Sequence, residues 1–140
     1  MTIGKESMTY AQQPEDLHQL FVAGVNEHDV DALLALYEQD STAADLEGHP
    51  LQGRDNLRAF LLGFLSGVKQ IDGGTRKVLI SGNIALLSST WHAVLVALDG
   101  GTSTVTGTSA EVARRQSDGT WRFLIDDPQF VNASPLSAAM

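Results

Sequence analysis

Three carboxylates stand inside or at the end of apolar stretches. Asp45 follows Thr42-Ala43-Ala44, Glu111 lies within Ser109-Ala110-Glu111-Val112-Ala113, and Asp126 within Phe123-Leu124-Ile125-Asp126-Asp127. A carboxyl group buried among apolar atoms is harder to ionise, so its pKa rises towards neutrality and it can exchange protons with a substrate. Aspartate is disfavoured in strands, so Asp126 needs a reason for its place. Asp126 and Asp127 alternate onto opposite faces, as do Trp91 and His92. Histidine titrates near neutrality, but a lone strand histidine is read first as a packed or interfacial residue. His18, His28 and His49 are expected at exposed positions. No pair of histidines, and no histidine with two acids, shows ligand spacing on one element, so no metal site is expected. There is no nucleophile-elbow motif and no cysteine.

The elements that must position these groups are legible from periodicity. Pro14 followed by Glu15 and Asp16 reads as a helix start. Leu17, Leu20, Phe21, Gly24 and Val25 form one face of that helix, which should end near Asn26-Glu27-His28. Asp29 is a suitable N-cap for a second helix with the stripe Val30, Leu33, Leu34 and Tyr37, ending at Gln39-Asp40-Ser41. Thr42–Leu46 reads as a short strand, with a return at Leu51-Gln52 after the turn Glu47-Gly48-His49-Pro50. A third helix carries Leu57, Phe60, Leu61, Phe64 and Leu65 at amphipathic spacing. Four β-rich segments follow, 77–81, 84–97, 103–115 and 121–131, separated by Gly82-Asn83, Asp99-Gly100-Gly101 and Ser117-Asp118-Gly119. Tight turns between consecutive strands require antiparallel pairing. Helices first and a hairpin sheet after make the class α+β. Residues 14–131 are expected to form a single domain, flanked by flexible tails at 1–13 and 132–140.

Length and charge bound the function. The chain has 140 residues and a net charge of −8, from 9 basic and 17 acidic residues. Its basic residues are scattered, so it lacks the clustered positive face that nucleic-acid binding uses. No apolar run approaches the roughly 18 residues of a membrane span, and residues 1–7 lack a signal-peptide pattern. A cytoplasmic location is the expectation.

The order of two helices, a strand, a third helix and a long hairpin sheet resembles the nuclear transport factor 2-like superfamily. Tyr37-Glu38-Gln39-Asp40-Ser41-Thr42-Ala43-Ala44-Asp45 is similar to the stretch of ketosteroid isomerases that delivers a carboxylate from the first strand. Gly53-Arg54-Asp55-Asn56-Leu57 resembles the start of the third helix, and Asp118-Gly119-Thr120-Trp121-Arg122-Phe123 the last turn and strand of SnoaL-like proteins. The resemblance covers about residues 14–131. It implies a cone-shaped curved antiparallel sheet closed by three N-terminal helices, with a pocket inside and a homodimer through the convex face.

By that resemblance Asp45 occupies the place of the isomerases' general base. Glu111 occupies that of a protonated acid facing the substrate oxygen, and Asp126 points into the cone. Phe21, Leu57, Leu61, Phe64, Trp91 and His92 are expected to line the substrate cavity. Phe21 replaces the tyrosine that supplies the isomerases' other oxyanion donor, and Tyr37 matches a packing position at the end of the second helix. The implied function is a cofactor-independent isomerase or cyclase that moves a proton on a small apolar carbonyl compound. The alternative is a non-catalytic dimeric ligand-binding or association module, with a protein-binding scaffold as a third reading.

Overall fold

A computed structural model describes residues 9–131. In chain order these form α1 (Asp16–Asn26), α2 (Val30–Leu34), β1 (Tyr37–Ala44), β2 (Pro50–Gln52), α3 (Arg54–Gly67), β3 (Val68–Ser81), β4 (Ile84–Val96), β5 (Thr102–Thr108), β6 (Ala110–Arg115) and β7 (Trp121–Asp127). The sheet runs β2-β1-β7-β6-β4-β3, with β5 pairing the far half of β4. It is mixed and α+β. Its hairpin neighbours are antiparallel, but β1 lies parallel to β7. That pairing corrects the all-antiparallel expectation. The tight-turn rule governs consecutive strands only, and most of the chain separates β1 from β7. Register shifts in β1–β7, β3–β4 and β6–β7 add local bends, and the sheet curves around the helices.

The helices cover the concave face. Leu17 and Val25 of α1, Leu33 of α2, Leu61 of α3, Tyr37, Leu87 and Phe123 are almost completely buried there. Gly24 permits the close crossing of α1 and α2, since a Cβ on it would stand 2.7 Å from Leu33 Cδ2. Asp29 caps α2 by accepting from the Ala32 amide at 3.0 Å. The expected helix start at Pro14 moves to Asp16, whose carboxylate accepts from the amides of Gln12 and Gln13. Ala11 is buried and bridges Trp121, so the packed chain begins before residue 14. The expected tails at 1–8 and 132–140 lie outside the described residues.

Three boundaries differ from the periodicity reading. The second helix stops at Leu34 and Tyr37 already belongs to β1. The spacing of Val30, Leu33, Leu34 and Tyr37 suits a helix throughout, but Arg54 donates to the carbonyls of Leu34 and Tyr37, and Phe123 donates to Leu36 O at 2.7 Å. These bonds complete the backbone without another helical turn. The third segment of the sheet starts at Val68 rather than Lys77. Lys69, Gln70, Asp72, Gly73 and Gly74 hide it, since only Val68 and Ile71 turn fully inward. The span 103–115 divides at Ser109, whose hydroxyl accepts from the Ser89 amide at 2.8 Å. No helix among the described residues is long and apolar enough to cross a membrane.

Candidate functional site

A cavity of about 70 Å³ lies between the concave sheet and helices α1 and α3. Phe21 and Val22 of α1, Leu57, Phe60 and Phe64 of α3, and Ala43, Ala44, Leu46, Ile71 and Trp91 make its apolar wall. Phe60 and Phe64 stack at 6.3 Å, one helical turn apart. Trp91 lies flat because position 107 is glycine: a Cβ there would come within 2.7 Å of the indole. The indole N–H donates to Pro128 O at 2.8 Å, which fixes the ring as a wall.

All the ionisable groups of the cavity gather at one end: His18, Tyr37, Glu111 and Asp126. Glu111 and Asp126 are directly opposite each other across β6 and β7, so both side chains project from the same face. Tyr37 Oη donates to Asp126 Oδ2 at 2.6 Å. His18 Nε2 lies 2.9 Å from Glu111 Oε1, with both residues buried. His18 Nδ1 lies 2.5 Å from Thr75 Oγ1. Phe123 fills the space beneath, 5.1 Å from the Tyr37 ring and 6.2 Å from the imidazole. Glu111 Oε2 and Asp126 Oδ1 have no hydrogen-bond partner among the described residues and remain available to a ligand.

Burial pushes the Asp126 carboxyl up, the negative charge of Glu111 pushes it further, and the Tyr37 hydrogen bond only partly offsets both, leaving it at about 8. Two carboxyls this close do not readily ionise together. Burial and the neighbouring carboxyl thus favour the neutral, proton-donating form of Asp126 near neutral pH, at the wall of an apolar cavity. Burial, followed by the charge of Asp126, raises the Tyr37 hydroxyl well above the usual phenol range.

The sequence-derived candidates divide on the structure. Glu111 and Asp126 share the polar end, and Phe21, Leu57, Phe64 and Trp91 share the apolar wall. Asp45 stands apart from the cavity, although its neighbours Ala44 and Leu46 line it. Its carboxylate accepts from the amides of Glu47 and His49, both at 2.9 Å, and meets the His49 ring at 3.1 Å. Burial is the largest single influence and acts upward, but the bonds from His49 and Glu47 together outweigh it and hold its pKa below the ordinary value. The turn that follows β1 thus consumes the carboxylate expected to be the base. Leu61 is buried in the core, off the cavity wall. His92 is exposed on the opposite face of β4, beside Thr90 and Thr106 in a shallow groove. Trp91 faces inward with Ser89 and Ala93, all in step with the pleat.

Two side chains of the cavity depart from the sequence expectation. His18, expected at the surface, is buried. A usable signal existed, because His18, Phe21, Val22 and Val25 follow i, i+3, i+4, i+7 on one helix face. Tyr37 was assigned to packing alone, and its hydroxyl is the bonding partner of Asp126. Asp45, Glu47 and His49 also bring their ligand atoms within 4.8 Å of one another, a histidine-and-two-acids spacing that the reading along single elements passed over. Their mutual hydrogen bonds account for that exposed cluster.

Comparison with known proteins agrees with this geometry at the level of fold. No curated protein matches the sequence. A ketosteroid isomerase-like protein from Erwinia carotovora atroseptica superposes with a TM-score of 0.73 at 16% identity, over 80% of this chain and 88% of that one. A nuclear transport factor 2-like superfamily protein from Salmonella enterica gives 0.70 at 16% identity, over 81% and 84%. A Xanthomonas campestris protein, provisionally described as a calcium/calmodulin dependent protein kinase II association domain, gives 0.69 at 17% identity, over 86% and 84%. The family match is carried by residues 18–131, which include His18, every strand and all four ionisable groups of the cavity, and the chain belongs to the SnoaL-like domain family.

Proposed function

We propose that the cavity binds a small, uncharged, largely apolar carbonyl compound and moves a proton on it without a cofactor. The observation that carries this reading is the pairing of Asp126 with Glu111: the two carboxyls face each other across β6 and β7 at the polar end of an apolar cavity, and that setting pushes the Asp126 carboxyl up. Glu111 acts as the base, taking a proton from the carbon next to the carbonyl. Asp126 donates a hydrogen bond to the carbonyl oxygen as negative charge builds there, a form of stabilisation that is large in a dry site. Two carboxyl groups at the same end disfavour a carboxylate or phosphate ligand there. An engineered cavity of roughly 150 Å³ is enough for benzene. At about 70 Å³, this one encloses only part of a ring-sized ligand unless side chains shift.

The reading is tested without knowing the natural substrate. Cyclohexanone incubated with the protein in D₂O is expected to exchange its α-protons faster than in buffer, as followed by ¹H NMR. Glu111→Gln is expected to slow the catalysed exchange by about 10²–10⁴-fold, the usual weight of a general base. No acceleration by the natural protein would exclude this chemistry. Stabilisation against heat by the same ketone, without exchange, would instead support the passive ligand-binding module.

We further propose that the outer face of the sheet forms a homodimer. Leu79, Leu86, Val112 and Ile125 lie in one row across β3, β4, β6 and β7. Leu79, Leu86 and Ile125 are 56%, 50% and 47% exposed, next to Ile84 at 40%. A row of large apolar side chains on a sheet face favours a partner with the same row, which a two-fold axis supplies. Sedimentation velocity is expected to give a dimer for the natural chain and a folded monomer for Leu86→Arg. A monomeric natural chain would remove the proposal.

A further inference from the structure

We propose that His18 and Thr75 form a proton conduit that joins Glu111, inside the cavity, to bulk water at the exposed edge strand β3. The inference rests on the acid–base reading of Glu111 for its purpose, but its geometry stands independently. A base that has taken a proton must lose it again, and a ligand seated in the cavity obstructs the direct way out. The structure offers a second way. Thr75 is exposed, His18 is buried, and the imidazole spans the distance between the Thr75 hydroxyl and the Glu111 carboxylate with both of its nitrogens engaged. A buried neutral imidazole carries one donor and one acceptor nitrogen, and here each has a partner. Here the two partners sit on opposite sides of the ring, one in water and one in the cavity.

Two hydrogen-bonding states satisfy both ring nitrogens, Thr75 Oγ1 and Glu111 Oε1. With Glu111 ionised, the ring carries its proton on Nε2 and donates to Glu111 Oε1, while Nδ1 accepts from the Thr75 hydroxyl. With Glu111 neutral, its O–H donates to Nε2, the ring proton sits on Nδ1, and Nδ1–H donates to Thr75 Oγ1. The threonine hydroxyl then turns outward, where the Glu15 carbonyl oxygen lies at 3.5 Å. Passing from the first state to the second takes up one solvent proton: Thr75 gives its own to Nδ1, Nε2 gives its own to Glu111, and a hydronium ion restores Thr75 and leaves as water. The reverse passage releases one. Each bond broken is matched by one formed, and no co-reactant is needed. His18 is thus a positioning and relaying residue.

The test uses the full chain labelled with ¹⁵N-histidine and needs no ligand. The exchange of the His18 ring N–H proton with water is measured by NMR saturation transfer in the natural protein, Thr75→Ser and Thr75→Val. Thr75 is at the surface, so all three are expected to fold alike. The serine variant keeps a hydroxyl and should exchange within about twofold of the natural rate. The valine variant should exchange at least tenfold more slowly. An unchanged or faster rate in Thr75→Val would overturn the conduit. Failure of the acid–base reading shows separately, as absence of α-deuteration of cyclohexanone by a protein whose His18 exchange still depends on Thr75.

Discussion

Asp126→Asn is expected to abolish most of the pH dependence of stability between pH 5 and 9 and to leave a variant more resistant to alkali than the natural protein. The sign follows from linkage. The folded carboxyl titrates at about 8 and the ordinary value is 3.8, so between those limits the unfolded chain releases a proton that the folded chain keeps. Stability from this group is full below pH about 4, falls as pH rises towards about 8, and is lost above it. Asparagine is neutral at every pH and can still accept the Tyr37 hydrogen bond. Thermal melts of the two proteins should therefore converge near pH 5 and diverge by pH 9, with the natural protein lower. Comparing the pair cancels the general effect of titrating an acidic chain. Parallel melting curves would mean that Asp126 is ionised in the fold, and the neutral-acid role would fall with that result. In the ketone assay the same variant should lose rate, because an amide donates a weaker hydrogen bond to a developing oxyanion than a carboxylic acid does.

Phe123→Ala is expected to give the largest loss of stability of any single truncation near the cavity, about 3–5 kcal/mol by analogy with other buried phenylalanines. Phe123 is 2% exposed. It contacts the rings of Tyr37 and His18, and its amide holds Leu36 O across the parallel β1–β7 pairing. The truncation would open space beneath the carboxyl pair. Water entering that space would resolvate Asp126 and lower its pKa, so the variant should also lose part of the pH slope described above. Urea denaturation at pH 5 and pH 9 measures both effects. A loss below about 1 kcal/mol would mean that the surroundings collapse to fill the gap, and the support assigned to Phe123 would be wrong.

Much of the fold was legible along the chain. The stripe Leu57, Phe60, Leu61, Phe64, Leu65 placed α3, Asp29 marked the start of α2, and the glycine-bearing turns at 82–83, 99–101 and 117–119 separated the last strands. Periodicity resolved faces well within an element and poorly at its ends. Tyr37 fits a helical stripe and a strand equally, and what decided between them was a contact 17 residues away, Arg54 on the Tyr37 carbonyl. Gly73 and Gly74 look like a break in the chain, yet β3 runs through them because β4 supplies partners on every side of the interruption.

The candidate site shows the same division. Residue types marked Glu111 and Asp126 as acids in apolar strands, the family resemblance pointed them at the pocket, and helix spacing put Phe21, Leu57 and Phe64 on inward faces. Sequence by itself determined which groups were available for chemistry. The tertiary structure decided which of them meet. His18 and Glu111 are 93 residues apart in the chain, and Tyr37 and Asp126 are 89 apart. Those pairs exist because the β6–β7 register sets two carboxyls side by side, while α1 and the first strand each add a partner from the other end of the chain. Asp45 had the better local credentials, but three short-range bonds within its own turn claimed it. Local hydrogen bonding can be read from a few neighbouring residues. Desolvation and charge proximity, which make Asp126 an acid, depend on how distant segments enclose it.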